Sequence, residues 1–339
     1  MNYGNRLQNY ATQRVFEKMG FEVETILNCL NYKARFIKNI IKRLIPIKRF
    51  KRYNNFMKFN KKIKYSKHVI SDNRIPIDIN SEYDYFFTGS DQVWNPNFKR
   101  TSNIDFLEFA DEEKRNSISA SFGVSTIPQS KQEYYKNMLM KIKNISVREE
   151  RGKEIIKELT GRDDISVLTD PTMLLEPDEW MQVEKKPIKH TSKKYIFTYF
   201  LGELSNERKE EIERVARENE CEIINFFDLK SSYYTCGPSE FIYLERNAFL
   251  ICTDSFHSTV FSILFDRPFV IFDREDKSEK MNSRLDTLLK KFNVDNRWYK
   301  GKITQEMLNF ECDKKDEILK MEREKADRFL KKALDIKEN

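Results

Sequence analysis

Five short stretches of the chain carry side chains able to do chemistry, and each follows a run that reads as a β-strand. Gly89-Ser90-Asp91-Gln92-Val93-Trp94-Asn95 follows YDYFFT, Ser121-Phe122-Gly123 follows NSISA, and Arg148 closes NISVR. Thr253-Asp254-Ser255 with His257 follow FLIC, and Asp273-Arg274 follow PFVIF. Hydroxyls, amides, carboxylates and the cations Arg148 and Arg274 at strand ends suit the capture of an anion. The fit is best where a loop opens a helix whose first amide groups lack partners.

Such loops need a scaffold, and the chain alternates accordingly. A helix over about Asn5–Met19, closed by Gly20, is followed by a strand at FEVETIL. Then come strands at YDYFF and NSISASF, a helix over Ser130–Ile142, a strand at NISVR, a helix over Glu149–Leu159 and a short strand at ISVL. The prolines of TDPTMLLEPDEW break this rhythm. Beyond them KKYIFTYFL, CEIINFF, AFLICT and PFVIF read as strands, separated by helices over Asn206–Glu218, Ser239–Arg246 and Phe256–Phe265. This pattern predicts an α/β fold of two doubly wound, mainly parallel, Rossmann-like domains. A length of 339 residues fits two domains of about 150 residues each. The expected organisation is an N-terminal domain over residues 1–168 with an insertion at 30–70, and a second domain over 169–303. A charged helix over 304–339 is expected to pack back on the first domain. In such proteins the ligand is expected in a crevice where the carboxyl ends of the strands face each other.

Composition excludes several classes. No apolar run approaches the ~20 residues that span a bilayer, and Met1 is followed at once by polar residues rather than the apolar core of a signal peptide. A cytoplasmic protein is expected. Five scattered cysteines with no CxxC pair, and only three histidines, predict buried reduced thiols and no metal site. The net charge of +7 is concentrated in one place: fourteen Lys and Arg and no acid lie between Thr25 and Ser71, so the remainder is net negative. Within that segment Phe36, Ile37, Ile40, Ile41, Leu44 and Ile45 fall on one side of a helix, with Arg35, Lys38 and Lys42 opposite. A solvated basic face, docking on an anionic membrane surface through residues 33–67, and nucleic-acid binding all suit this pattern. The acidic remainder argues against the last, and no nucleic-acid partner is expected.

NYGNRLQNYATQ, TGSDQVWN, SFG, ISVRE, LTDPTMLL and CTDSFHSTVFSILFDRPFVIF occur in an order that resembles the polysaccharide pyruvyl transferase family. The resemblance runs from Asn2 to about Leu289. It implies a glycosyltransferase B-like fold and transfer of the carboxyethylidene unit of phosphoenolpyruvate to a sugar of a cell-surface polysaccharide or its lipid-linked precursor. No cofactor beyond that donor is implied. Forming a pyruvate ketal requires a proton on the enol methylene, attack by a sugar hydroxyl on the carbon bearing phosphate, and departure of phosphate. His257 and Asp91 are the catalytic candidates that follow. Arg148, Ser255, Ser258, Arg274 and Arg284 are the donor-binding set, Arg148 by a two-pronged grip on either anion. Ser90, Gln92, Trp94, Asn95, Asn5 and Gln8 form the acceptor-binding set.

Ordinary readings stand beside these. An arginine after a strand commonly serves a surface ion pair, Asp91 can simply cap its loop, and Trp94 suits the core as well as a sugar face. Two departures from the family pattern are visible. Ser255 occupies a place where many members carry arginine, which leaves Arg274, Lys277 or Arg284 to supply that charge. Members also usually have a strand ahead of the NYG, so either that strand is missing here or another segment is expected to fill its slot. A nucleotide-sugar-dependent glycosyltransferase of the same architecture and a non-catalytic scaffold of polysaccharide assembly are the competing functions. Peripheral attachment at the inner face of the membrane would bring the enzyme to a lipid-linked acceptor.

Overall fold

The computed structural model describes residues 2–28, 47–191, 193–274 and 283–337. Ten strands are named in chain order: β1 (Thr25–Asn28), β2 (Tyr65–Ile70), β3 (Phe86–Asp91), β4 (Arg115–Ala120), β5 (Ser146–Val147), β6 (Ser166–Val167), β7 (Tyr195–Tyr199), β8 (Glu222–Asn225), β9 (Leu250–Thr253) and β10 (Phe269–Ile271). They form three sheets, ordered β1-β2, β3-β4-β5-β6 and β10-β9-β7-β8. Every pairing between named strands is parallel. Parallel strands need crossover connections, and the helices Gln129–Met140, Asn206–Glu218 and Pro238–Asn247 supply them.

The chain divides into two compact units. One comprises Leu7–Leu44, Ile63–Leu174 and Leu319–Asn339, and is called here the Arg148 unit. The other, the His257 unit, comprises Met1–Arg6, Ile45–Lys62 and Leu175–Ile318. The division departs from the expected boundaries: Met1–Arg6 and part of the basic insertion belong to the His257 unit. Its helix Ile47–Asn60, not anticipated from sequence, buries Phe56 and Phe59 there. From Leu319 onward the tail groups with the Arg148 unit, where Ala326, Phe329, Leu330 and Ala333 of the helix Lys315–Ala333 pack with Phe16, Ile118, Leu168 and Leu174, while residues 304–318 group with the His257 unit. The predicted amphipathic helix over Phe36–Ile45 lies outside the described residues, as do Cys29 and Lys277. Among the described residues no helix is long and apolar enough to cross a membrane.

Each unit has its own core. In the Arg148 unit β4 is buried along its whole length, as expected of a strand covered on both faces by helices. Trp94, Phe106, Phe122, Tyr135, Ile155 and Ile156 pack against it. In the His257 unit Ile196, Leu250, Cys252, Val270 and Phe272 form the corresponding layer. These buried apolar faces hold the strand ends, and hence the polar loops, in fixed places.

One half-buried carboxylate makes stability depend on pH. Burial pushes Asp105 up to about 6, whereas an unfolded aspartate titrates near 3.9. The fold therefore favours the protonated form: stability is greatest below pH ~4 and falls as pH rises through the window from ~4 to ~6. Asp105→Asn is expected to raise stability above pH 6.5, by on the order of 2 kcal/mol, and to give no gain at pH 4. Denaturant titrations at the two pH values check this.

Candidate active site

In the His257 unit the strand order marks where a ligand belongs. The chain enters the sheet at β7, adds β8 on one side, and then crosses to place β9 and β10 on the other. The gap between β7 and β9 is thus a point where connections leave in opposite directions, and ligands of parallel α/β sheets bind beyond the carboxyl ends of strands at such points. Asp254, just past β9, braces the gap: its two carboxylate oxygens accept from the amides of Leu201 (2.7 Å) and Gly202 (2.8 Å), just past β7. The Thr253 hydroxyl donates to the Tyr199 carbonyl at 2.6 Å, completing the brace.

From this platform the helix Phe256–Leu264 departs, with Ser255 at its cap and His257 as its second residue. Arg274, following β10, pairs with Asp254 at 3.2 Å and keeps a quarter of its side chain exposed. The Arg284 guanidinium lies over the Phe256 ring, 5.7 Å from its centroid. The unit therefore gathers His257, Ser255 and the cations Arg274 and Arg284 around one helix start and its flanking loop. Ser258 differs from expectation. Its hydroxyl is fully buried and donates to Glu245 at 2.5 Å, so it faces the core rather than a donor. Burial, which disfavours the charged form, holds the Glu245 carboxyl well above the usual carboxylate range.

In the Arg148 unit the strand ends also converge. Asp170, after β6, accepts from the Ser90 hydroxyl (2.9 Å), Arg148 Nη1 (2.5 Å) and both the amide and hydroxyl of Thr172. Arg148 Nη2 lies 3.8 Å from Asp91, and only 1% of the Arg148 side chain is exposed. The arginine is the positive centre of a buried cluster between two aspartates, a different place from the projecting anion clamp expected of it. Glu149, beside it, accepts from the Ser121 hydroxyl (2.8 Å) and the Phe122 amide (3.1 Å).

The GSDQVWN stretch belongs partly to β3, which runs through Asp91. Asp91 has a φ of +68°, a left-handed geometry that aspartate tolerates better than most residues. Its carbonyl accepts from the amides of Val93 and Ser121. The Ser90 amide donates to Gln8 Oε1 at 3.2 Å, and Asn95 Nδ2 donates to Gln92 Oε1 at 2.6 Å. Gly123 has φ +64°, and a β-carbon there would stand 2.3 Å from Gln92 Oε1. Conformation favours the glycine of SFG, and a β-carbon there would also displace the Gln92 side chain. Asn5 falls in the His257 unit and accepts from Arg6 at 2.8 Å.

Trp94 corrects the sequence reading. It is fully buried, stacked on Phe106 at an interplanar angle of 3°, with its indole N–H donating to the Asp105 carbonyl. A sugar platform needs an open ring face, and this one is covered by the core. Gln92 and Asn95 are likewise turned inward, holding the loop. Asp170 and Asp254 organise the two loop clusters; Asp254 was named from sequence among the strand-end polar residues but given no role, and Asp170 was not singled out. Their signal was present: each follows a predicted strand directly, in LTDP and CTDS.

Parallel strands carrying polar loops at their carboxyl ends, with a histidine at a helix start and cations on the flanking segments, define a Rossmann-like α/β protein. The chain belongs to the polysaccharide pyruvyl transferase family, whose pattern it matches over residues 2–276. It is therefore a transferase, of the kind that moves a pyruvyl group to polysaccharide. Among solved structures it is similar in fold to a putative UDP-N-acetylglucosamine 2-epimerase from Listeria monocytogenes. The TM-score is 0.50 and the identity 11%, over 97% of this chain and 88% of that one. No curated protein matches the chain.

Proposed function

We propose that the protein transfers the carboxyethylidene unit of phosphoenolpyruvate to two hydroxyls of a sugar in a cell-surface polysaccharide or its lipid-linked precursor. The observation that carries this reading is the position of His257, in the first turn of a helix beyond β9, at the reversal point of the sheet. The amide groups at that helix start favour a phosphate, and Arg274 and Arg284 supply cations from the flanking segments. An imidazole there is suited to deliver a proton to the enol methylene or to contact the phosphate. As one sugar hydroxyl adds to the carbon bearing phosphate, the methylene takes up a proton; the second hydroxyl then displaces phosphate from the same carbon. The products are the ketal and inorganic phosphate.

The buried Arg148 acts on this reading by fixing Asp91 and the start of the GSDQVWN loop, so the acceptor contacts fall to the rim around Asp91. The test is to incubate the protein with phosphoenolpyruvate and a lipid-linked oligosaccharide extract, following inorganic phosphate and the ketal methyl signal by NMR. Both are expected to appear together. Release of a nucleoside diphosphate from a sugar nucleotide instead would favour the glycosyltransferase, and no turnover of either donor would favour the scaffold.

Peripheral attachment at an anionic membrane is supported by the outer face of the helix Ile47–Asn60. At 100° per residue, Ile47, Phe50 and Met57 fall on the side opposite Phe56 and Phe59. Ile47 is 75% exposed, and Phe50 and Met57 are each 41% exposed. Lys51 and Lys58 lie on the same outward side. Apolar residues among lysines, on a helix whose sequence holds no acid, are suited to a headgroup layer. Flotation with vesicles containing phosphatidylglycerol is expected, with loss on replacing Phe50 and Met57 by serine; flotation unaffected by lipid charge would remove this part of the reading.

A further inference from the structure

The first turn of the N-terminal helix Tyr3–Lys18 contains an approach between backbone and side chain that the reaction alone does not call for. A β-carbon built on Gly4 would stand 2.1 Å from Nδ1 of His257, 2.4 Å from Cε1 and 2.5 Å from Cγ. The imidazole thus lies directly against the glycine α-carbon. Real β-carbons do not approach so closely, and the atoms met belong to a ring that is itself 93% buried, being only 7% exposed. No L-residue other than glycine fits at position 4 unless the histidine moves.

The neighbour of Gly4 is anchored to an unusual degree. Tyr3 is 1% exposed and donates its hydroxyl to the Cys236 carbonyl at 2.6 Å. Its ring packs on Phe56, Phe226, Phe241 and Tyr199, with centroids between 4.6 and 5.9 Å. Arg52, from the basic helix Ile47–Asn60, covers it further, with its guanidinium carbon 5.1 Å from the ring centroid. Arg52 also lies 4.8 Å from the rings of Phe227 and Tyr234. Such a cation among three aromatic faces is well held. The backbone at residue 4 is therefore a fixed wall, and all of these groups belong to the same unit as His257.

We infer that Gly4 is a positioning residue for His257: the tyrosine ahead of it pins the chain, and its bare α-carbon sets the plane of the imidazole. The inference rests on the reading of His257 as the group that handles the proton or phosphate. It also gives the basic helix a second task, through Arg52, that is independent of any membrane. A ring displaced by about 1 Å from its working place costs on the order of a hundredfold in rate.

Gly4→Ala is the direct test. Because the chain has three histidines, two-dimensional 15N NMR of the imidazoles resolves the problem, with His257→Gln assigning the signal of interest. The expected result is a shifted or broadened His257 signal with those of His68 and His190 unchanged. Turnover of phosphoenolpyruvate is expected to fall ten- to a hundredfold in kcat with KM changed less than threefold. An unmoved His257 signal overturns the inference, and so does a moved signal with kcat intact. Should the protein prove not to use phosphoenolpyruvate, the imidazole signal still decides whether Gly4 sets the ring, so the two failures are separable. If Gly4→Ala does not fold, Tyr3→Phe, which removes only the hydroxyl bond to Cys236, is expected to shift the same signal by a smaller amount; no shift there counts against the inference.

Discussion

Replacing His257 with glutamine is expected to lower pyruvyl transfer by about 10²- to 10⁴-fold, the range that a positioned acid or base contributes. Glutamine keeps a similar volume against Gly4 and the Phe256 ring but cannot exchange a proton near neutral pH. The loss should fall on kcat if the imidazole protonates the enol, and on KM for phosphoenolpyruvate if it holds phosphate in the ground state. Steady-state kinetics with varied donor separates these outcomes. The brace formed by Asp254 is untouched by the change, so the melting temperature should move little. A variant with full activity would remove His257 from the mechanism.

Asp170→Ala should have the largest effect on the fold. The substitution leaves Arg148 buried with one nitrogen stripped of its partner at 2.5 Å, and it removes the acceptor of Ser90 and Thr172 as well. Breaking a buried ion pair from one side costs about 3–5 kcal/mol, a large part of the 5–15 kcal/mol that keeps a typical domain folded. Denaturant unfolding should show the loss directly. Removing both charges, as in Arg148→Met with Asp170→Leu, is expected to recover part of it, since the buried arginine charge goes with its closest partner and only Asp91, whose side chain is 10% exposed, keeps a charge there. Recovery would show that the pair specifies the loop geometry more than it stabilises the protein. Equal losses in the single and double variants would refute that account.

The basic helix is fixed to its unit by its own cations. Its inner side contributes Arg52 to the aromatic cage on Tyr3, while the Lys48 ammonium is held by the carbonyls of Leu229, Lys230 and Ser231. Those contacts belong to one unit and orient the helix on it. Ile47, Phe50 and Met57 are left on the exposed side.

Much of the fold was written in local patterns. The helix Asn206–Glu218 has the bounds that its apolar periodicity and its Ser205 start imply, and β9 and β10 coincide with the apolar runs FLICT and PFVIF. Parallel strands buried on both faces announce themselves by continuous β-branched and aromatic residues bounded by polar loops. For the same reason the polar residues at their carboxyl ends could be named in advance. Strand β2 and the helix Ile47–Asn60 escaped notice because lysines interrupt their apolar residues. Their burial depends on partners distant in the chain.

Periodicity places a side chain on a strand or in a turn, but it does not say which way the turn faces. That is why Trp94 and Ser258 were open to a ligand role until the packing around them was known, and why Arg148 looked like a clamp before Asp170 was seen beside it. The identity of the family, the α/β class and the loops at strand ends were determined by the order of residues alone, since each rests on neighbours in sequence. Which of those polar groups face inward, and that a glycine at position 4 backs a histidine at position 257, was decided only by tertiary structure, because contacts between residues hundreds of positions apart leave no local trace.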